Sequence, residues 1–444
     1  MAVAVAAARD EHGQPRFSVV GVDLPTALGQ ERIDCLNGGR FPFRTSDNDL
    51  VDATAQAHAA GNLLASSDPR CFVAADVILV DVHLDVDTSN DAAAVDFAPF
   101  RAAIHTIGAH MKPGALVIVE TTVPPGSCER VVAPALAATL RERGLPADAF
   151  LLAHSYERVM PGERYLASIT NFWRVYAGHT PAAADACERF LTQVINVHDY
   201  PLTRLASTTA SEMAKVVENS YRATTIAFVE EWARFAETVG VDFFTIVEAI
   251  RVRPTHNNMR QPGFGVGGYC LTKDPLFGGI ATRQLFERPD LLFPFSEMAV
   301  STNRRMPIVS VDRLQELLGG DLQGRRVALL GVAYRPDVAD TRYSPSQTFV
   351  EEAEKRGAQI VAHDPLVARW PETKIAVSAE LPAADGLDAV VLAVPHRAYQ
   401  SVDFAGWLRH RRPVVLDANG VLSEPQRRAL TDVGCRVASI GRGW

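Results

Sequence analysis

The chain has 444 residues, 47% of them hydrophobic and 22% charged, with a formal net charge of −8. That length accommodates two or three domains, each with its own core. The acidic balance argues against a general nucleic-acid binder, and no apolar run reaches the roughly 18 residues needed to span a bilayer. The six cysteines (35, 71, 128, 187, 270 and 435) form no C-x-x-C pair and no Cys/His cluster at metal-ligand spacing. Neither a zinc site nor a disulfide framework is expected, and a reducing cytoplasm is the implied compartment.

The opening MAVAVAAARD is apolar but lacks a basic leader and meets Arg9-Asp10-Glu11 at once, so it reads as a helix fragment, not a signal peptide. Short β-branched runs then predict strands at Phe17–Asp23, Asp76–Val82, Ala115–Thr121 and Phe150–His154. From about Thr203 to Val239 the pattern is helical and free of Pro and Gly, which predicts a long joining helix. More helix follows, then the loop Pro262–Cys270. Strands resume at Arg326–Tyr334, Gln359–Asp364, Ala389–Pro395 and Pro413–Asp417, with a helix over Pro345–Arg356 closed by Gly357. The second series echoes the first: VVGVD (19–23) parallels IVAHD (360–364), and DVILVDVH (76–83) parallels AVVLAVPH (389–396). The fold expected is α/β, with two Rossmann-like parallel-sheet domains, residues 1–202 and 311–444, joined by a central long-helix segment, residues 203–310.

The echo exposes a gap. The second series starts on a strand, whereas the first starts on a helix. A dinucleotide site needs an opening strand and a G-x-G-x-x-G turn whose N–H groups face the pyrophosphate. No such turn precedes Met1–Arg9. The chain is therefore expected to begin inside the first helix, without the central strand and phosphate turn. Asp23, ending a strand, is placed to accept from adenosine ribose hydroxyls, the competing reading being a solvated turn carboxylate.

Five segments carry candidate chemistry. In Pro262-Gly-Phe-Gly-Val-Gly-Gly-Tyr-Cys270, the glycines suit close approach of backbone to a ligand, and Cys270 is a candidate nucleophile because a thiolate attacks carbonyl carbon well. Asp274, four residues on, can act as base or hold a water if the segment curls as a helical turn. In Glu212-Met-Ala-Lys215-Val-Val-Glu-Asn219, Lys215 and Asn219 share a helix face and can hold an oxyanion; a solvated face is the alternative. Val119-Glu-Thr121-Thr122-Val-Pro-Pro-Gly126 and His154-Ser-Tyr-Glu157-Arg158 each follow a strand, where ligands bind in parallel sheets. In Gly331–Pro345, Arg342 suits a diphosphate, or else a structural pair with Asp340.

Together the stretches ETTVPPG, SYERVMPG, SEMAKVVENSYRA, GFGVGGYCLTKDP and GVAYRPDVADTRYSPS resemble the UDP-glucose/GDP-mannose dehydrogenase family, in the family's order and across nearly the whole chain. The resemblance implies an NAD domain, a central helical dimerisation segment giving a homodimer, and a C-terminal domain that binds a UDP-sugar. The implied reaction is a four-electron oxidation of the sugar C6 alcohol to a carboxylate with two NAD⁺ in turn. Cys270 would form a thiohemiacetal and then a thioester; Lys215 and Asn219 would stabilise oxyanions; Asp274 would assist as base. Thr122, beside Thr121 at the cofactor, and Glu157 would order the catalytic water. Glu157 and Arg158 would also meet the sugar, Gly267 and Gly268 would let the loop close on it, and Arg342 would contact UDP. No metal, membrane or nucleic acid is implied.

The family's Pro-Thr-Pro after the fourth strand reads Val82-His83-Leu84, and its Ser-Pro-Glu reads Ser155-Tyr156-Glu157, changes that bear on loop geometry near the nicotinamide. ERVMPG favours a UDP-N-acetylhexosamine, the gluco or manno epimer, while GGYC leans towards UDP-glucose. Two other readings stand beside the leading one. The first is a truncated chain that holds a UDP-sugar without oxidising it. The second is a β-hydroxyacid dehydrogenase, which needs neither the cysteine loop nor a third domain.

Overall fold

A computed structural model of the chain describes residues 1–43, 45–89, 92–159 and 162–443. Of the SYERVMPG stretch, Met160 and Pro161 lie outside the described residues. The polypeptide forms two compact units, Met1–Glu218 with Leu276–Leu292, and Asn219–Pro275 with Phe293 onward.

The first unit opens on the helix Ala2–Ala7, whose Val3, Ala4, Val5 and Ala6 are buried. Its apolar sequence is used on more than one side. Ala4 and Val5 join one core cluster and Val3 and Ala6 another. Strand β1 (Val19–Val22) pairs in parallel with β2 (Leu63–Ser66), and these two form a sheet of their own. After β3 (Val77–Val80) comes a short antiparallel pair, β4 (Val86–Asp87) and β5 (Ala94–Val95). A five-stranded sheet then runs in the order β3, β6 (Leu116–Val119), β7 (Leu151–His154), β8 (Val175–Gly178) and β9 (Thr203–Arg204). Every residue of β6 is buried, as a strand covered on both faces requires.

In the doubly wound order 3-2-1-4-5-6, β2 and β1 fill the third and second places and β3, β6 and β7 the last three. No described strand fills the first place. Two features depart from the expectation. β8 runs antiparallel to β7, so the sheet is mixed. The long helix is Thr208–Thr238, of 31 residues, and does not start at Thr203. Thr203 and Arg204 instead pair with Val175 and Tyr176 of β8. The helix begins where the Ser207 hydroxyl accepts from the Ala210 N–H at 3.2 Å, a cap that side-chain periodicity does not reveal.

The second unit holds a complete doubly wound sheet of parallel strands. They are β10 (Arg326–Leu330), β11 (Gln359–His363), β12 (Val377–Ser378), β13 (Ala389–Leu392), β14 (Val414–Asp417) and β15 (Arg436–Ser439). Their order is β12-β11-β10-β13-β14-β15. Helix Pro345–Lys355 starts at Ser344, whose hydroxyl accepts from the Ser346 N–H. Six of the eight predicted strands ran past the observed ones at their carboxyl ends, while β7 and β14 end where expected. Asp23, Thr121 and Asp364 therefore lie just beyond β1, β6 and β11. Phe264, from the glycine-rich loop, is buried in the same cluster as Val327 and Leu329 of β10, which anchors that loop to the second unit.

Candidate active site

The predicted site residues fall in both units, and each group is built separately. In the first unit the chain leaves β6 with Glu120 and Thr121 still donating N–H bonds to Val80 O, at 3.1 and 3.3 Å. It then turns through Val123-Pro124-Pro125-Gly126. Buried Glu212, from the long helix, receives the Gly126 and Cys128 N–H groups at 2.6 and 2.7 Å. Burial, partly offset by these bonds, pushes its carboxyl up to about 7. At the end of β7, buried His154 meets the Ser211 hydroxyl at 2.8 Å. Burial lowers its imidazole to about 3, so it is neutral at physiological pH.

Lys215 is 7% exposed and donates to the backbone carbonyl of Glu157 at 3.0 Å. Its ammonium also lies 5.4 Å from the Tyr156 ring centroid, a cation–π distance. The Glu157 carboxylate turns back to accept from the Val159 N–H. Arg158 pairs with Glu218 at 2.9 Å and donates to Trp173 O and the Tyr156 hydroxyl, so part of its donor set shapes this loop. The structure thus brings Lys215, Glu157 and Arg158 together. Asp23 stands apart, at the end of β1, with Arg32 3.3 Å from its carboxylate.

In the second unit the curl after Cys270 is present: the Asp274 N–H donates to Cys270 O at 2.8 Å. Cys270 is an exposed thiol, and Asp274 is fully buried. The Asp274 carboxylate accepts from Asn219 Nδ2 at 2.7 Å and from Lys273 Nζ at 2.9 Å. Lys273 also sits 4.4 Å above the Tyr269 ring, which packs on Tyr343. The glycines are there for want of space. A Cβ on Gly267 would meet Pro345, Tyr334 and Tyr343 atoms at 2.7–2.8 Å, and Gly268 has φ +81° with the Tyr334 ring 2.8 Å from such a Cβ. Arg342 is exposed and forms a two-point pair with Asp340, its Nη2 2.6 Å from Oδ2, which is the structural alternative raised by the sequence.

Sequence reasoning gave no role to Ser211, Glu212, Tyr156 or Lys273. One signal was available. Positions 211, 212, 215 and 219 are polar at helical spacing in a segment with apolar neighbours, and all four are buried.

Among the described residues no group of three or more His, Cys, Asp or Glu side chains is placed to hold a metal, and no helix is long and apolar enough to cross a membrane. Residues 4–195, 209–305 and 328–424 match, in turn, the NAD binding, central and UDP binding domains of UDP-glucose/GDP-mannose dehydrogenases. A UDP-N-acetyl-D-mannosamine dehydrogenase of Pyrococcus horikoshii is 31% identical over 356 residues, 78% of this chain and 78% of that protein. The chain belongs to the UDP-glucose/GDP-mannose dehydrogenase family. It is a nucleotide-sugar dehydrogenase with an NAD binding domain, and the match to a UDP binding domain sets aside the β-hydroxyacid dehydrogenase alternative.

The solved structure of the Pyrococcus horikoshii UDP-D-ManNAc dehydrogenase superposes with a TM-score of 0.81 at 26% identity, over 99% of this chain and 96% of that one. A UDP-glucose dehydrogenase from Pyrobaculum islandicum gives 0.81 at 25% identity, over 99% and 93%. Overall fold therefore does not discriminate between the two sugars.

Proposed function

We propose that this family member oxidises the C6 alcohol of a UDP-N-acetylhexosamine to the uronic acid through a covalent intermediate on Cys270. The observation that carries the reading is the second-unit cluster. An exposed thiol ends a crowded glycine loop and is bonded through its backbone to a buried Asp274 that Asn219 and Lys273 hold. The N-acetylhexosamine is supported by ERVMPG and by the relatives named for UDP-N-acetyl-D-mannosamine.

Bound NAD⁺ supplies the hydride acceptor for both oxidations. On the protein side, Asp23 offers its carboxylate to the adenosine ribose at the end of β1, with Thr121 and Thr122 at the cofactor beyond β6. The Cys270 thiolate adds to the C6 aldehyde, and loss of hydride from the thiohemiacetal leaves a thioester. Water then cleaves the thioester to carboxylate and thiol. Lys215 and the second amide hydrogen of Asn219, the one not given to Asp274, stabilise the oxyanions. Asp274 takes up the proton or holds the water. Thr122 and Glu157 order that water, Arg158 meets the sugar, Gly267 and Gly268 shape its pocket, and Arg342 reaches the diphosphate.

The same reading divides the chain into an NAD domain (1–202), a central helical segment (203–310) and a UDP-sugar domain (311–444), in a cytoplasmic protein with reduced thiols. It also makes the protein a homodimer. Tyr221, Phe228, Trp232 and Phe235 lie exposed along the long helix, a stripe too apolar to leave in water. Trp232→Glu is expected to convert a dimer to a monomer in light scattering; a monomeric wild type would rule the dimer out.

The deciding assay mixes the purified chain with NAD⁺ and each of UDP-glucose, the two UDP-N-acetylhexosamines and GDP-mannose, following NADH. Two NADH per sugar are expected, fastest with an N-acetylhexosamine. A second reading rests on the divided sheet of the first unit, in which this chain holds a UDP-sugar without oxidising it. UDP binding without NADH from any sugar would favour it and overturn the first.

A further inference from the structure

The helix Thr208–Thr238 enters the first unit with three successive contacts. Ser211 meets His154 and Lys215 meets Glu157 O, both at the exit of β7, while Glu212 holds the exit of β6. The Glu212 contact is chemically unusual. A fully buried carboxylate bonds to two backbone N–H groups, Gly126 at 2.6 Å and Cys128 at 2.7 Å, and not to a cation. Burying such a charge is costly even when hydrogen bonds offset part of the cost, so its presence asks for a reason.

The turn it grips explains the need. Pro124 and Pro125 have no N–H to give, so the turn can be fixed only through the groups that follow them. Gly126 has φ +93°, and the Phe286 ring sits where its Cβ would be, 2.7 Å away. Cys128 then opens the helical run that continues to Glu142, and its N-terminus favours an anion. Released from the carboxylate, the turn keeps the Ser127 bonds to Pro124 O, the Arg130 N–H bond to Gly126 O and the Phe286 packing, but loses what holds the Gly126 and Cys128 N–H groups. Thr121 and Thr122 are the residues that lead into this turn.

We propose that Glu212 is a positioning residue whose carboxylate, through Gly126 and Cys128, fixes the turn bearing Thr121 and Thr122. The role rests on the dehydrogenase reading above. Deprotonated, Glu212 accepts both N–H groups and the Cys128 thiol; protonated, it must donate, and one of these bonds is lost. The titratable groups facing it are the Cys128 thiol and Glu129 from the turn, with Lys215 one helical turn along and Arg130 stacked on Phe286. Because burial pushes the Glu212 carboxyl up to about 7, the locked form gives way as pH falls through neutrality.

The test compares full-length wild type with Glu212→Gln, Glu212→Asp and Cys128→Ala under steady-state turnover across pH. Glu212→Gln is expected to lower kcat about tenfold or more while KM for sugar and NAD⁺ and the Kd for UDP stay within about threefold. The wild-type kcat is expected to fall below about pH 7, a limb absent in Glu212→Gln, and Glu212→Asp should restore part of kcat. Cys128→Ala removes a donor to the charged form and should move the acid limb to higher pH, which decides the matter even if Glu212→Gln does not fold. A Glu212→Gln enzyme with wild-type kcat and the same acid limb, or an unmoved limb in Cys128→Ala, overturns the proposal. A wild type that makes no NADH from any nucleotide sugar overturns the dehydrogenase reading instead and takes the Glu212 role with it.

Discussion

Replacing Cys270 by serine is expected to cut acid production by roughly three orders of magnitude or more, while UDP binding by the C-terminal domain persists. At neutral pH a serine hydroxyl is almost wholly protonated, whereas a cysteine has an appreciable thiolate fraction. The neighbouring carboxylate, Asp274, is bonded to Asn219 and Lys273. In the proposed mechanism the first oxidation does not use the thiol, so the variant should still release aldehyde slowly. The NADH yield should drop from two per sugar towards one, with the aldehyde captured by an added hydrazine. Undiminished acid production would refute the nucleophile assignment. A loss of UDP binding would show that the substitution had disturbed the loop and not merely the chemistry.

The largest effect on stability is expected from Arg174→Met. Arg174 and Glu120 form an ion pair of 2.7 Å with side chains only 2% and 1% exposed, and Glu120 Oε2 is buried without a hydrogen-bond partner. Removing the guanidinium leaves a carboxylate in the core and should cost about 3–5 kcal/mol. Burial already pushes Glu120 up to about 7 despite Arg174, and Asp81 opposes its ionisation further.

The sign of the pH dependence follows from that direction. A carboxyl whose folded pKa lies above its unfolded value holds extra protons when folded, so it lowers stability as pH rises between the two. Without Arg174 the folded value climbs further and the window widens upward. The loss in Tm relative to wild type should thus be greater near pH 8 than near pH 5.5. Glu120→Gln combined with Arg174→Met should recover most of it. An equal loss at both pH values would sink this account.

The glycine loop and its cysteine were legible because their constraints are local. Four-residue spacing put Asp274 one helical turn from Cys270, and the backbone bond between them follows from that spacing. The continuous apolar runs of β6 and β13 likewise announced strands covered on both faces. The β7–β8 pairing gave no such sign, since strand direction depends on the connection and not on composition. Thr203 and Arg204 were swept into the long helix because the Ser207 cap is a geometric event at one residue. The roles of Glu212 and Arg174 were hidden for a different reason: their partners lie 84–86 and 54 residues away in sequence.

By itself the sequence determined the α/β alternation, four strands of the second sheet (β10, β11, β13 and β14) and the ordered motifs that mark the family. Each rests on short-range pattern, turn chemistry or residue identity, which a chain carries before it folds. Tertiary structure decided which polar groups are buried and what they hold. Asn219 is bonded to Asp274, Arg158 to Glu218 and Arg342 to Asp340. A side chain's partner is set by topology and by the need to satisfy each buried polar group. Neither condition can be evaluated until distant segments have met.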